Sequence, residues 1–496
     1  MRKIKYCKWI EYLWLYRNSL LFATLVSVNA IGAEEPGSSN AGLPERLDKA
    51  LSSLKIPQES VSIDVREVTG KSVLAFNADT LRNPASTIKT VSSFVALEEL
   101  GPAYRWPTEF YLQGELKKGV LKGDLLVKGY GNPYLVLQEL WLMLRQLKQA
   151  GLQHIDGNLV LDRTFLAAQK RDPGAFDGQH DRVYNVQPDA LLANFMAIKL
   201  MFETDGRGVS VKLRPELEGL TIKNDLASIK GACTGFQAGI RVDIADSDAR
   251  DEIRLSGKHP NGCENYTMTR AILRADTYFF AIFKLLWQEL GGSISGSVLN
   301  GELVLAEEEE KVEPFYTHVS PPLRTLLVAS NKYSSNAMSQ LLLLTAASKH
   351  HTPPISNAMA VQTLQDRLLA QKLNLGKGII QFGSGLSRQT KVSAQFISDV
   401  LEKAYQSPYR PEFISSLPIS GYDGTMRKRL RNSKLAGQAH IKTGQLDNVA
   451  ALAGYIQASN GAWYIVSFQV SHKNVHRGVG KSFGDELLRW VYSGKY

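Results

Sequence analysis

Residues 83–93 read NPASTIKTVSS. Ser86 and Lys89 stand three positions apart, where the apolar run Ile88, Val91, Phe94, Val95 and Leu97 begins. On a helix, that spacing puts both side chains on one face. An ammonium group at the mouth of an apolar helix is costly unless it has a partner or a task. A serine hydroxyl is a weak nucleophile until an adjacent base takes its proton. Together the two residues could form an acyl-transfer pair, with Ser86 attacking a carbonyl and Lys89 accepting the proton.

Two further clusters can complete that chemistry. Ser334-Ser335-Asn336 offers a hydroxyl to pass the proton to a leaving amine and an amide to hold the acyl-side peptide. Lys442-Thr443-Gly444 offers a second cation, which would keep Lys89 neutral by repulsion and grip a terminal carboxylate together with the Thr443 hydroxyl. Gly444 leaves room for substrate against the backbone. The backbone N–H groups of Ser86 and Gln445 would form an oxyanion hole, a device worth ~3–4 kcal/mol per donor.

Each cluster alone is weak. Ser52–Lys55 also reads S-x-x-K, and Ser27–Asn29 and Ser38–Asn40 also read S-x-N. Plain structural readings exist as well: Ser86 as a helix cap, Lys89 as a snorkelling lysine, Ser334 and Asn336 as loop caps, and Lys442 as a guard on a strand edge. What counts is the set, in this order and in context. It is the motif set of serine β-lactamases and penicillin-binding proteins.

The elements that must position these residues can be read from periodicity. Val61–Arg66 and Ser72–Phe76 read as a strand pair around Thr69-Gly70-Lys71, leading to a helix that ends near Gly101-Pro102. From about residue 103 the texture changes to short alternating segments broken by glycine, and β structure with interspersed helices continues to about 317. Helical patterning returns over Pro322–Ser348, Asn357–Leu373 and Ser393–Tyr405. The strands AHIKTG, VAALAGYIQA and AWYIVSFQVS follow, then a helix over Phe483–Val491. The acidic run Glu307–Glu310 reads as a solvated turn. The first and last parts therefore form one α/β unit, with β-rich material inserted into it.

Composition bounds the class. The chain has 496 residues, 44% hydrophobic and 21% charged, enough for roughly three domains with real cores. The opening MRKIKYCKW followed by SLLFATLVSVNA reads as a signal peptide, residues 1–33, cut after Ala30 or Ala33. An uncleaved anchor is the alternative. Cys7 is too far from either cut for a lipoprotein. No downstream run is long enough to cross a bilayer, so the expected chain is exported, with at most peripheral membrane association. The net charge of +10 falls to about +6 without the first 33 residues, and no nucleic-acid signature accompanies it. Cys233 and Cys263 are the cysteines left, and suggest one disulfide, with two buried thiols as the alternative. No metal-ligand spacing is present among the nine histidines, so no metal and no cofactor are expected.

With NPASTIKT, YSSN and IKTG stand GDLLVKGYGNPYL (123–135), DGNLVLDRTF (156–165), GSGLSR (383–388), LPISGYDGTMRKRL (417–430) and VAALAGYI (449–456). In these segments the chain resembles the D-alanyl-D-alanine carboxypeptidase/endopeptidase family, the low-molecular-mass class C penicillin-binding proteins, over about residues 45–492. The resemblance implies a discontinuous α/β penicillin-binding, serine β-lactamase-like domain (43–100 and 318–496). Two nested, mostly β domains would lie between the first two motifs, one at 101–168 and 290–317, the other at 169–289. It implies a periplasmic enzyme acting on peptidoglycan stem peptides, inhibited by β-lactam antibiotics. It also implies that Asp162 contacts a substrate side-chain amine and that Arg388 lines the cleft, while Asp423 and Thr425 look structural.

The chain departs from the family in several places. Ser335 replaces the usual aspartate, GNP replaces GDP at 131–133, Phe382 stands where an acid is common, and Asp447 where a glutamine can touch substrate. The expected activity is a serine DD-peptidase, carboxypeptidase and possibly endopeptidase. A serine β-lactamase would need fast deacylation, and no E-x-x-L-N loop is present. A non-catalytic peptidoglycan-binding protein would not need Ser86, Lys89, Ser334, Asn336 and Lys442 all intact.

Overall fold

Val61, Ile63 and Val65 are buried, and so are Ser62 and Asp64 between them, so the first strand, Val61–Glu67, is covered on both faces. It lies inside an antiparallel five-stranded sheet. The order is Ala439–Leu446, Val449–Gln457, Trp463–Ser471, Val61–Glu67, Ser72–Phe76. The computed structural model describes residues 42–169, 171–204, 208–233, 239–244, 252–303 and 312–496. The expected signal segment 1–33 and the acidic run Glu307–Glu310 lie outside them.

The two faces of this sheet have separate cores. One packs Leu452, Val466 and Phe468 against Leu47 and Leu51 of Glu45–Ser53 and Phe483, Leu487 and Val491 of the last helix. The other packs Ala453, Tyr455 and Ile465 against the helices Lys89–Leu100, Asn336–Ala347 and Ala394–Gln406. Gly101 ends the first of these at φ 73°, a left-handed stop that glycine makes without strain.

The continuous apolar pattern of 322–348 becomes two helices, Leu323–Lys332 and Asn336–Ala347. Ser334, at φ 57°, breaks the run. The last helix spans Val479–Ser493, a turn longer than its apolar pattern. Gly480 allows the extension, because a Cβ there would meet the Ala450 Cβ at 2.6 Å.

The inserted material begins and ends side by side. Strand Pro107–Lys117 pairs with Tyr316–Val319, and Pro107 stands opposite Val319. Ser320 N donates to Trp106 O and Leu323 N to Tyr104 O. An excursion of some two hundred residues therefore closes like a short loop. Its seven-stranded sheet is built on the long hairpin Pro107–Lys117/Val120–Gly129. Two three-stranded sheets lie within residues 197–271. One of them pairs Thr221–Ala232 in parallel with Glu252–Gly262, and the Cys233–Cys263 disulfide joins the ends of those strands. All three inserted sheets share one apolar core, running from Phe110 and Leu125 through Ile198 and Phe202 to Ile253, Phe283 and Trp287. Among the described residues, no helix is long and apolar enough to cross a membrane.

Candidate active site

Asn83 sets the serine loop. Its side chain accepts from Ala85 N at 2.8 Å and donates to Ser387 O at 2.8 Å. Ala85 is held at φ 46°, and Ser86 follows in the turn Ala85–Ile88, which runs directly into the helix Lys89–Leu100. Lys89 Nζ lies 3.0 Å from Ser86 Oγ and 2.7 Å from Asn336 Oδ1, and also donates to Ser384 O.

The Lys89 side chain is fully buried, and among the described residues no carboxylate is a partner. Burial first, and then the positive charge of Lys442, lower its pKa well below the ordinary lysine value. Once neutral, the amine can keep N–H bonds to the two carbonyl oxygens and turn its lone pair to the Ser86 hydroxyl.

Ser334 and Lys442 form the second pair. Lys442 Nζ donates to Ser334 Oγ at 2.8 Å and to Thr443 O at 2.8 Å. Lys442 is also fully buried, and burial pushes its pKa down to about 7. Ser335 caps the helix Asn336–Ala347 by accepting from Met338 N. A serine serves there as well as an aspartate. Asn336 Nδ2 donates to Tyr184 O at 2.9 Å, so the inserted material reaches the site.

Ala439–Leu446 is an edge strand of the sheet. Ile441 N donates to Pro418 O and Ser420 N to Ala439 O, which cover the start of that edge. Gly444 faces the serine loop: a Cβ there would sit 2.7 Å from Pro84 O and 3.1 Å from Ser86 N. Ser86, Ser334, Thr443, Gly444 and Gln445 line one cavity of 350 Å³. The structure thus brings together eight of the expected residues, the five catalytic candidates with Thr443, Gly444 and Gln445.

Arg388 sits apart from the cavity wall. Its Nη1 donates to Asp447 O at 3.1 Å, its Nη2 lies 3.6 Å from the Asp447 carboxylate, and its guanidinium stacks on Phe176 at 4.6 Å. Asp162, expected to contact a substrate amine, does not line the cavity at Ser86. Its side chain is fully buried beside Lys128 at 3.0 Å, and it accepts from Thr164 N, Thr164 Oγ1 and Leu303 N. Burial pushes this carboxyl up, but the hydrogen bonds from Leu303, Thr164 and Lys128 outweigh it and hold the pKa below the ordinary value. No oxygen is left for a substrate ammonium. Asp162 lines neither the cavity at Ser86 nor the larger cleft of 1290 Å³ beside Tyr130 and Phe165.

Thr425 was expected to be structural, yet it lines the cavity and its Oγ1 lies 2.8 Å from Thr443 Oγ1. Its neighbour Asp423 fits the expectation: it pairs with Lys332 and accepts from Ile419 N. Arg429 and Lys481 also line the cavity, and sequence reading singled out neither. The signal for Thr425 and Arg429 was their place in the segment LPISGYDGTMRKRL (417–430); Lys481 carried none.

Residues 43–491 match the D-Ala-D-Ala carboxypeptidase 3 (S13) family. The chain belongs to that family. Among relatives, D-alanyl-D-alanine carboxypeptidase DacB of Haemophilus influenzae is 26% identical over 415 residues, covering 82% of this chain and 84% of that protein. A D-alanyl-D-alanine carboxypeptidase of Actinomadura sp. (strain R39) is 24% identical over 457 residues, covering 89% and 83%. The crystal structure of penicillin binding protein 4 (dacB) from Haemophilus influenzae superposes with a TM-score of 0.75 at 23% identity, covering 91% of this chain and 99% of that one. That likeness establishes the α/β, penicillin-binding fold for this S13 member.

Proposed function

We propose that this protein is a serine DD-peptidase that cleaves peptidoglycan stem peptides ending in D-Ala-D-Ala and is acylated by β-lactam antibiotics. The observation that carries the reading is the buried Lys89 amine, lowered in pKa, 3.0 Å from the Ser86 hydroxyl and, among the described residues, with no carboxylate partner. Membership of the S13 family and the names of the relatives support the substrate.

The geometry supports this sequence of steps. The acyl arm of the substrate lies along the free edge of Ala439–Leu446, towards Asn336. The terminal carboxylate meets Lys442 and the Thr443–Thr425 hydroxyl pair. Lys89 takes the Ser86 proton as Oγ attacks the carbonyl. The Ser86 and Gln445 N–H groups serve as the oxyanion hole. The amide C–N bond breaks as the leaving amine takes a proton by way of Ser334. Water then hydrolyses the Ser86 ester. No metal or cofactor enters any step.

Export to a periplasm, and division into a catalytic unit (43–100, 318–496) with inserts at 101–168/290–317 and 169–289, belong to the same proposal. The adjacent ends of the insertion at Pro107 and Val319 support its outer boundary.

The test is labelling of the mature protein with a fluorescent penicillin, alongside Ser86→Ala, and D-alanine release from a pentapeptide. Stable labelling lost in Ser86→Ala, with D-alanine released by wild type, is the expected result. Rapid loss of label with destruction of the penicillin would replace the reading with a β-lactamase. A folded wild type that takes no label would leave only a binding protein.

A further inference from the structure

Residues 171–185 lie within the inserted material by sequence, between its ends at Pro107 and Val319. They nevertheless reach the catalytic residues as a strap. Asp181 ties the strap to the insertion: its carboxylate pairs with Arg270 at 2.5 Å, and its carbonyl accepts from Ala271 N at 2.8 Å. Val183 packs on the core that holds the helices Lys89–Leu100 and Asn336–Ala347. The next residue, Tyr184, accepts from Asn336 Nδ2 with its backbone carbonyl at 2.9 Å.

Two stacked pairs join the strap to the segment 382–388. The Arg171 guanidinium lies 4.5 Å from the centre of the Phe382 ring, and the Arg388 guanidinium 4.6 Å from the centre of the Phe176 ring. Each is a cation–π contact, and each side supplies one cation and one ring. Phe382 is a position where this chain departs from the family. In place of an acid it offers Arg171 a ring face. Between the two stacks in sequence stands Ser384, whose carbonyl accepts from Lys89 Nζ.

Lys89 has two carbonyl partners, Asn336 Oδ1 and Ser384 O, and the strap bears on both. A backbone carbonyl only accepts, so Tyr184 O fixes which end of the Asn336 amide it meets. With Nδ2 held there, Oδ1 is turned to Lys89, and the second Nδ2 hydrogen is left for substrate. Without Tyr184 O, the amide can turn over and offer Nδ2 to the lone pair that Ser86 needs. Inside the strap, Asp177 accepts from Tyr184 Oη at 2.7 Å, Asn185 Nδ2 at 2.9 Å and Gln179 N at 3.0 Å. One carboxylate thus holds the residues on both sides of the Tyr184 carbonyl.

We infer that Asp177 is a positioning residue for the catalytic base: it shapes the strap that presents Tyr184 O to Asn336, and so keeps the Asn336 carbonyl on Lys89. The inserted material then sets the base as well as standing beside it. This rests on the reading of Lys89 as the base given above.

The test follows the second-order rate of penicillin acylation against pH in wild type, Asp177→Ala and Asp177→Asn, with thermal melts as the check of folding. Asp177→Ala removes all three acceptor contacts. Asp177→Asn keeps an acceptor for Asn185 and Gln179 and offers Tyr184 Oη a donor instead. Lys442, the charged group that acts on Lys89, is untouched in both. In Asp177→Ala the plateau rate should fall about tenfold. Its acid limb should move down by about one pH unit, because the ammonium form of Lys89 loses an acceptor. Asp177→Asn should bring both back close to wild type. A folded Asp177→Ala with rate and limb unchanged overturns the inference. So does a lower rate with the limb in place, which would make the strap a wall for substrate only. Should Asp177→Ala fail to fold, Phe176→Leu with Phe382→Leu removes both stacks and should move the limb the same way by less; an unmoved limb there overturns the inference too. A folded wild type that takes no label ends the DD-peptidase reading itself, and this inference with it.

Discussion

Two regions of this molecule bury charge, and they do it in opposite ways. In the inserted sheet, Asp162 is fully buried with Lys128 3.0 Å away and three further hydrogen-bond donors. Beside the catalytic cavity, Lys89 and Lys442 are fully buried, and among the described residues their hydrogen-bond partners are hydroxyl and carbonyl oxygens. A buried ion with its counter-ion is a structural joint; removing one member strands the other. A buried amine without a counter-ion escapes the cost by losing its proton. The first arrangement holds strands together, and the second makes a base.

The sharpest break with this comparison would come from Lys89→Met, which keeps the bulk and removes the amine. Acylation by penicillin and kcat/KM for a pentapeptide should fall by about 10³-fold or more. Thermal stability should change little, since the carbonyl partners lost oppose the relief of a buried amine. A large stability loss would make Lys89 a structural joint after all.

Asp162→Ala should do the reverse. Urea unfolding should show a loss of about 3 kcal/mol, while kcat/KM for a pentapeptide moves less than about threefold. A collapse of activity in a stable variant would return Asp162 to the substrate site.

The pH profile separates the two lysines. Lys89 must be neutral to act and Lys442 charged to hold a carboxylate, so kcat/KM should be bell-shaped. Its alkaline limb should begin near 7, where Lys442 loses its proton. In kcat, which reports the bound complex, that limb should move to higher pH, because a substrate carboxylate favours the cation. The sign for stability is the opposite of a salt-bridged lysine. The folded value lies below the ordinary 10.5, so between about 7 and 10.5 the unfolded chain binds more protons and stability rises with pH. Lys442→Met should flatten that rise.

The smallest effect is expected at Thr425→Val, which removes the hydroxyl partner of Thr443. A five- to tenfold drop, about the worth of one hydrogen bond, should appear mainly in KM for the pentapeptide and leave stability intact.

The same contrast explains what could be read from the sequence. Apolar periodicity gave the strands 61–67 and 72–76 to within a residue and the helix before Gly101, because those elements bury regular faces. Ser86, Lys89, Ser334 and Asn336 came together because they lie at helix starts or breaks, and Lys442, Thr443 and Gly444 because they lie within the strand Ala439–Leu446 that alternation predicts. The buried pairing of Asp162 was not legible because its partner is set by register. Lys128 stands opposite Asp162 in a parallel strand pair, 34 positions away, and no one-dimensional pattern carries that pairing. Thr425 was set aside because its contact with Thr443 joins a loop to a strand edge. The common core of all the inserted sheets was likewise invisible, since an apolar residue does not say which sheet it will meet.

Ser334 sits at φ 57° and Ala85, next to the nucleophile, at φ 46°. Neither is glycine, the residue that adopts such angles at no steric cost. The two catalytic loops therefore store conformational energy that a simpler sequence would release. Glycine at 85 or 334 would relax the chain, and at 334 it would also delete the hydroxyl that Lys442 holds. Selection for a sturdier molecule and selection for a working one pull against each other at these two positions. Stabilising substitutions for this protein are better sought in the inserted sheets, far from both turns.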